Sequence, residues 1–240
     1  MTQSTGPGEA EVFRYGGTGT VLLVALLMYV GLHPLVLGGM AARLAGGVIV
    51  LVILVSGTMA ASRSNLLRAI GGVLAAVTFC AQLMWLATGD RPAEAAMMAG
   101  FAVFCFFTAG VILRHVLSFG PLYADRVHAA LSVYILMAFA WAGAYAMIEI
   151  LSPGAFSIPR AAGASPDEGT PLLADMMHLS IATLTSTGFG DITPVSPFAR
   201  SLSQLEQLTG VFYIAVLISR LVGLYPMKER ERQEPEPPAG

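Results

Sequence analysis

Charged residues are so sparse along this chain that the intervals between them predict its elements. A helix crossing a bilayer needs about 20 apolar residues. Five uncharged intervals can supply one: 15–42, 44–62, 69–89, 95–113 and 127–148. Helix cores are predicted at 20–38, 44–61, 69–88, 95–113 and 127–148. Beyond Glu149 the pattern changes, because the next uncharged windows, 176–190 and 207–219, are too short to cross alone. A last crossing is available from Pro197 to Tyr225, where roughly 28 residues span about 42 Å and leave Arg200 and Arg220 near the interfaces.

Between the fifth and the last crossing lies a shorter element. Ser152 to Gly169 is rich in Pro, Gly, Ser and Ala and reads as an exposed loop. Thr170-Pro171 supplies an N-cap and a proline for the first helical position, predicting a helix from Leu172 to about Leu184. About 13 residues make a rod near 20 Å, which reaches only partway into a membrane. The chain must then turn back, and a non-helical turn at that depth is tolerated only where it is buried in protein or lines a water-filled path. The expected fold is an all-α integral membrane protein of six transmembrane helices plus one re-entrant helix and loop.

Composition supports this and removes other classes. Hydrophobic residues make up 55% of the 240 and charged ones 12%, against roughly 25% charged in a soluble domain. With 13 Lys+Arg against 15 Asp+Glu, the chain has no basic patch for nucleic acid. Cys80 and Cys105 lie in apolar stretches, so no disulfide framework or zinc site is expected. No Ser-His-Asp set, HExxH or P-loop occurs, so neither an enzyme nor a cofactor is expected. Glu9 and Glu11 precede the first apolar stretch where a secretory signal would carry basic residues, so that stretch is expected to stay in the chain. With the N-terminus inside, Arg14, Arg63, Arg68, Arg114, Arg126, Arg220, Lys228, Arg230 and Arg232 fall in the cytoplasm, and Arg43, Arg91, Arg160 and Arg200 outside. That bias predicts a multi-pass inner-membrane protein with both termini cytoplasmic. The outer face then holds Asp90, Glu94, Asp167, Glu168, Asp175 and Asp191, which either raise local cation concentration or are simply solvated.

The turn after the short helix reads Thr185-Ser186-Thr187-Gly188-Phe189-Gly190-Asp191. This run resembles the Thr-Val-Gly-Tyr-Gly filter signature of potassium channels, with Ser186 at the threonine position, Thr187 for valine and Phe189 for tyrosine. The resemblance covers roughly residues 125–225. It implies a prokaryotic six-transmembrane channel with one pore loop per chain, assembled as a homotetramer among membrane lipids, with potassium as the transported ion. The ion would be held mainly by backbone carbonyls of Ser186, Thr187, Gly188, Phe189 and Gly190, with a hydroxyl from Ser186 at the innermost site. The glycines would permit the dihedrals that aim the carbonyls inward. The negative end of the short helix would favour a cation there. Thr185, Asp191, His178 and Glu206 would support the filter.

The same resemblance extends downstream and shows departures. Gly210, twenty residues after Gly190, stands where a gating hinge is expected, with helix packing as the alternative reading. Val211, Ile214, Ile218 and Val222 would line an inner cavity. Phe189 lacks the filter hydroxyl, and Leu179 takes the place of the pore-helix tryptophan that bonds it. His178 either pairs with Asp191 or is a packed interfacial histidine. Glu206 either makes a structural hydrogen bond to Ser180 or Thr183, or acts in ion attraction or proton-linked gating.

The remaining regions complete the expected organisation. From Ala95 to Leu113 there is no Arg or Lys, and Arg114 alone follows, so voltage-sensing arginines are missing. The first four helices read as a packed scaffold or lipid-facing regulator, with Ala42, Gly46, Gly71, Gly72 and Ala76 suited to close contacts. Met97, Met98, Phe101, Phe104, Phe106 and Phe107 read as core filling or lipid-facing. Ser118-Phe119-Gly120-Pro121 breaks the helix, making 114–126 either a linker that transmits movement or a plain loop. Lys228 to Glu234 reads as a helix stub followed by disorder, leaving no room for a cytosolic gating domain. The expected domains are a cytoplasmic segment 1–19, a four-helix unit 20–118, a pore unit 119–225 and a tail 226–240. The expected function is passive potassium conduction, with a weakly selective monovalent cation channel or a non-conducting regulatory membrane subunit as alternatives.

Overall fold

The computed structural model describes residues 20–31, 40–60, 65–117, 124–159 and 172–233. The segment 1–19, the end of the first predicted span, the Ser118–Pro121 break, Asp167, Glu168, the Thr170-Pro171 cap and the chain beyond Gln233 lie outside the described residues. In chain order the elements are α1 (Thr20–Gly31), α2 (Met40–Ala60), α3 (Asn65–Thr88), α4 (Arg91–Leu117), α5 (Ala124–Leu151), β1 (Phe156–Ser157), α6 (Leu172–Leu184), β2 (Thr193–Pro194) and α7 (Pro197–Gln233).

Four helices are long and apolar enough to cross a membrane: Asn65–Thr88, Arg91–Arg114, Val127–Leu151 and Pro197–Arg220. The apolar helix Thr20–Gly31 and the apolar part Val50–Met59 of α2 are shorter. The protein is therefore a helical membrane protein with four full-length candidate spans among the described residues. α6 covers Leu172–Leu184, the half-length element that the sequence predicts.

Packing follows chain order, with α4 against α3 and α5, α5 against α6, and α6 against α7. α5 is the most enclosed span, and α3 and α7 the least. Gly143 brings α5 close to α4, since a Cβ there would lie 3.1 Å from the Met98 carbonyl oxygen and 3.2 Å from the Ala102 methyl. Small residues allow such close approach where helices gain nothing from hiding apolar surface from lipid. Met97, Met98, Phe101 and Phe104 fill this core, and Phe101 and Tyr29 both meet Phe139 edge-on. Of the small residues expected at helix contacts, Gly71 is buried, whereas Gly72 and Ala76 face outward from α3. α3 packs against α2 and α4, and among the described residues no atom lies within 4 Å of a Cβ at Gly72.

A short antiparallel pairing, Phe156 with Pro194 and Ser157 with Thr193, was not expected from the sequence. It is supported at one end by Glu149, whose carboxylate oxygens accept from the backbone N–H groups of Gly154 at 2.8 Å and Phe156 at 2.9 Å. At the other end the N–H groups of Val195 and Ser196 both donate to the Ala155 carbonyl. The loop after α5 is thereby tied to the segment entering α7. Ser196 caps α7, accepting from the Ala199 N–H at 3.2 Å, with Pro197 at the first helical position. α7 continues unbroken to Gln233, so the boundary expected at 225/226 is not a helix end.

Candidate functional site

Among the described residues, the one non-glycine with a positive φ lies in the backbone after α6. The helix ends in a Schellman arrangement: the Thr187 N–H donates to the Ala182 carbonyl at 2.8 Å and the Ser186 N–H to the Thr183 carbonyl at 2.9 Å. The residue in the left-handed position of that motif is usually glycine. Here it is Ser186, with φ of 57°. Positive φ then recurs at Gly188 (58°) and Gly190 (79°), while Thr187 and Phe189 keep negative values. A backbone that alternates in hand turns successive N–H groups to one side and so its carbonyls to the other. Residues 185–190 are exposed.

Side chains brace this segment from both ends. The hydroxyls of Thr185 and Thr187 lie 2.8 Å apart, and Thr185 also donates to the Ile181 carbonyl at 2.7 Å. At the outer end His178 Nε2 is 2.9 Å from Asp191 Oδ2, with both side chains about half exposed. The Phe189 ring stacks on the His178 ring, centroids 5.4 Å apart and planes 13° apart. Leu179 is buried. The imidazole of His178 thus touches both outer residues of the turn. The backbone N–H of Ile192, together with the charge and hydrogen bond of His178, holds the Asp191 carboxyl below the usual carboxylate range.

The inner end of α6 is gripped by two other helices. The Leu184 carbonyl accepts from the Tyr134 hydroxyl of α5 at 3.0 Å. Gly210 of α7 is buried against that same carbonyl, which a Cβ at this position would strike. With the Ala182, Thr183 and Leu184 carbonyls all engaged, the end of α6 holds the turn in place by its hydrogen bonds as well as by its dipole. Level with Ser180, one helical turn before Leu184, Glu206 of α7 is fully buried, with the Tyr145 hydroxyl of α5 in hydrogen-bonding contact with Oε2 and the Ser180 hydroxyl of α6 with Oε1. Thr183 is not among its partners. Tyr213 closes the lower contact by donating to the Ala130 carbonyl at 2.6 Å and packing on Tyr134.

The structure therefore gathers Ser186 to Gly190, Thr185, Asp191 and His178 around one turn, and Glu206 and Gly210 on the face of α7 behind it. Val211, Ile214 and Ile218 lie on the exposed side of α7, and the side chain of Val222 is outside the described residues. Sequence reasoning missed Tyr134, Tyr145, Tyr213 and Glu149. A tyrosine inside an apolar span must find a partner for its hydroxyl, and that rule was the available signal. Among the described residues no group of three or more His, Cys, Asp or Glu could hold a metal by side chains alone.

A family model described as ion channel matches residues 133–225, from α5 through α6 and the turn into α7. Protein LctB of Bacillus caldotenax is 32% identical over 98 residues, which make up 41% of this chain and 71% of that protein. No solved structure matches significantly.

Proposed function

The chain belongs to the ion channel family, and from that premise we propose that it conducts potassium passively through a filter formed by four copies. One observation carries the reading. Directly after a half-length helix, the exposed backbone alternates in hand at Ser186, Gly188 and Gly190, the alternation a strand needs if its carbonyls are to face one side. One such strand offers only part of a coordination shell, and rings of carbonyls from four strands replace the water around a potassium ion. Ser186 adds its hydroxyl at the inner end, and Val211, Ile214 and Ile218 line the cavity below. The pore sits in the inner membrane with both termini cytoplasmic, as the Lys and Arg bias favours.

The test is the reversal potential of purified protein in bilayers under opposed potassium and sodium gradients. A value near the potassium equilibrium potential is expected. A value near zero would replace this reading with a weakly selective cation pore, and absent current with a regulatory subunit. Gly188→Ala is expected to abolish the current while leaving assembly intact. No atom lies within 4 Å of a Cβ at Gly188, so the obstacle is its φ of 58°. That conformation costs an L-residue roughly 1–2 kcal/mol in each of four copies.

A further inference from the structure

Among the described residues Glu206 is the only buried acid, and its partners are hydroxyls rather than cations. The geometry around Ser180 creates a conflict of hydrogen supply. Ser180 Oγ lies within reach of Glu206 Oε1 and also 2.9 Å from the Ala138 carbonyl oxygen. A serine hydroxyl has one hydrogen, and a carbonyl or an ionised carboxylate can only accept. With Glu206 ionised, that single hydrogen serves one acceptor and leaves the other facing a bare oxygen. An enclosed carboxylate without a cation is also strongly disfavoured.

A proton on Oε1 removes the conflict. Oε1–H donates to Ser180 Oγ, Ser180 donates to the Ala138 carbonyl, and Tyr145 donates to Oε2. Each hydrogen of Glu206, Ser180 and Tyr145 then has an acceptor, and one chain of hydrogen bonds joins α7, α6 and α5. We propose that Glu206 is a neutral, hydrogen-donating acid that positions the helix carrying the filter. Its site reinforces this role, because Ser180 lies four residues before Leu184 and Glu206 four before Gly210. The two pairs therefore clamp α6 against α7 at successive turns. The positioning role rests on the pore reading above; the place of the proton does not.

Two measurements on the purified full chain in liposomes test this. The infrared difference spectrum of wild type minus Glu206→Gln should contain the carbonyl stretch of an un-ionised carboxyl. Ser180→Ala should shift that band by removing its acceptor. Glutamine can donate to Ser180 and accept from Tyr145, so Glu206→Gln should keep potassium flux within about twofold of wild type. Glu206→Leu, which removes the acceptor of Tyr145 and the donor to Ser180, should reduce flux about tenfold or more. Carboxylate bands in place of the neutral band, or a Glu206→Gln protein as impaired as Glu206→Leu, would overturn the proposal. If wild type carries no flux, the pore reading falls, while the infrared result still decides where the proton is.

Discussion

Thr187 stands where the resemblance expects an apolar side chain, and its hydroxyl is answered two residues away by Thr185 at 2.8 Å. A polar atom that would otherwise need a distant partner is thus satisfied locally, which keeps the turn internally consistent. At the outer end, the lost filter hydroxyl is replaced by contact of another kind: Phe189 stacks on His178, and His178 reaches Asp191. The depressed pKa of Asp191 has a sign that can be checked. Because the folded value lies below the unfolded one, the stabilisation is present above the unfolded value and is lost as pH falls through the folded one. The thermal midpoints of wild type and Asp191→Asn should therefore converge as pH drops below about 4. A gap that stays constant well below that pH would remove Asp191 from the forces holding the outer turn.

Between elements, the decisive contact is α7 against the end of α6. Gly210 leaves no room for a side chain beside the Leu184 carbonyl, so close packing explains this glycine without any bend, and α7 is a continuous helix there. Gly210→Ala should destabilise the protein by about 1–3 kcal/mol, read as a lower thermal midpoint in detergent. A variant as stable as wild type but altered in its opening kinetics would return the residue to a hinge role. The bounds of α6 were legible in the sequence because a short apolar run with a helix-starting cap and a glycine-rich stop leaves little choice. The tyrosine hydroxyls that grip it were not legible. Tyr145 and Glu206 are separated by 61 residues, and nothing local in either helix marks the other as its partner. The outward placement of Gly72 and Ala76 was hidden for a similar reason, since small residues show that a close contact is possible without saying on which face a neighbour lies.

For the whole molecule, the absence of Lys and Arg between Ala95 and Leu113 bears on how the pore responds to voltage. One charge crossing 100 mV is worth about 2.3 kcal/mol, and steep opening needs several in each subunit. Open probability should thus change little over the range of about −100 to +100 mV. A steep conductance–voltage curve that survives removal of blocking ions would locate a sensor elsewhere in the chain. The charge pattern made this legible, whereas the left-handed serine was not, because only glycine advertises such a backbone. Ser186 both ends the helix and begins the alternation of hand, so no linker separates the two. The turn accordingly has a parity. One residue inserted between Thr185 and Gly188 would send each later carbonyl to the opposite side, and a second would bring it back. In the proposed assembly of four copies sharing one axis, length in this segment is therefore constrained to even steps.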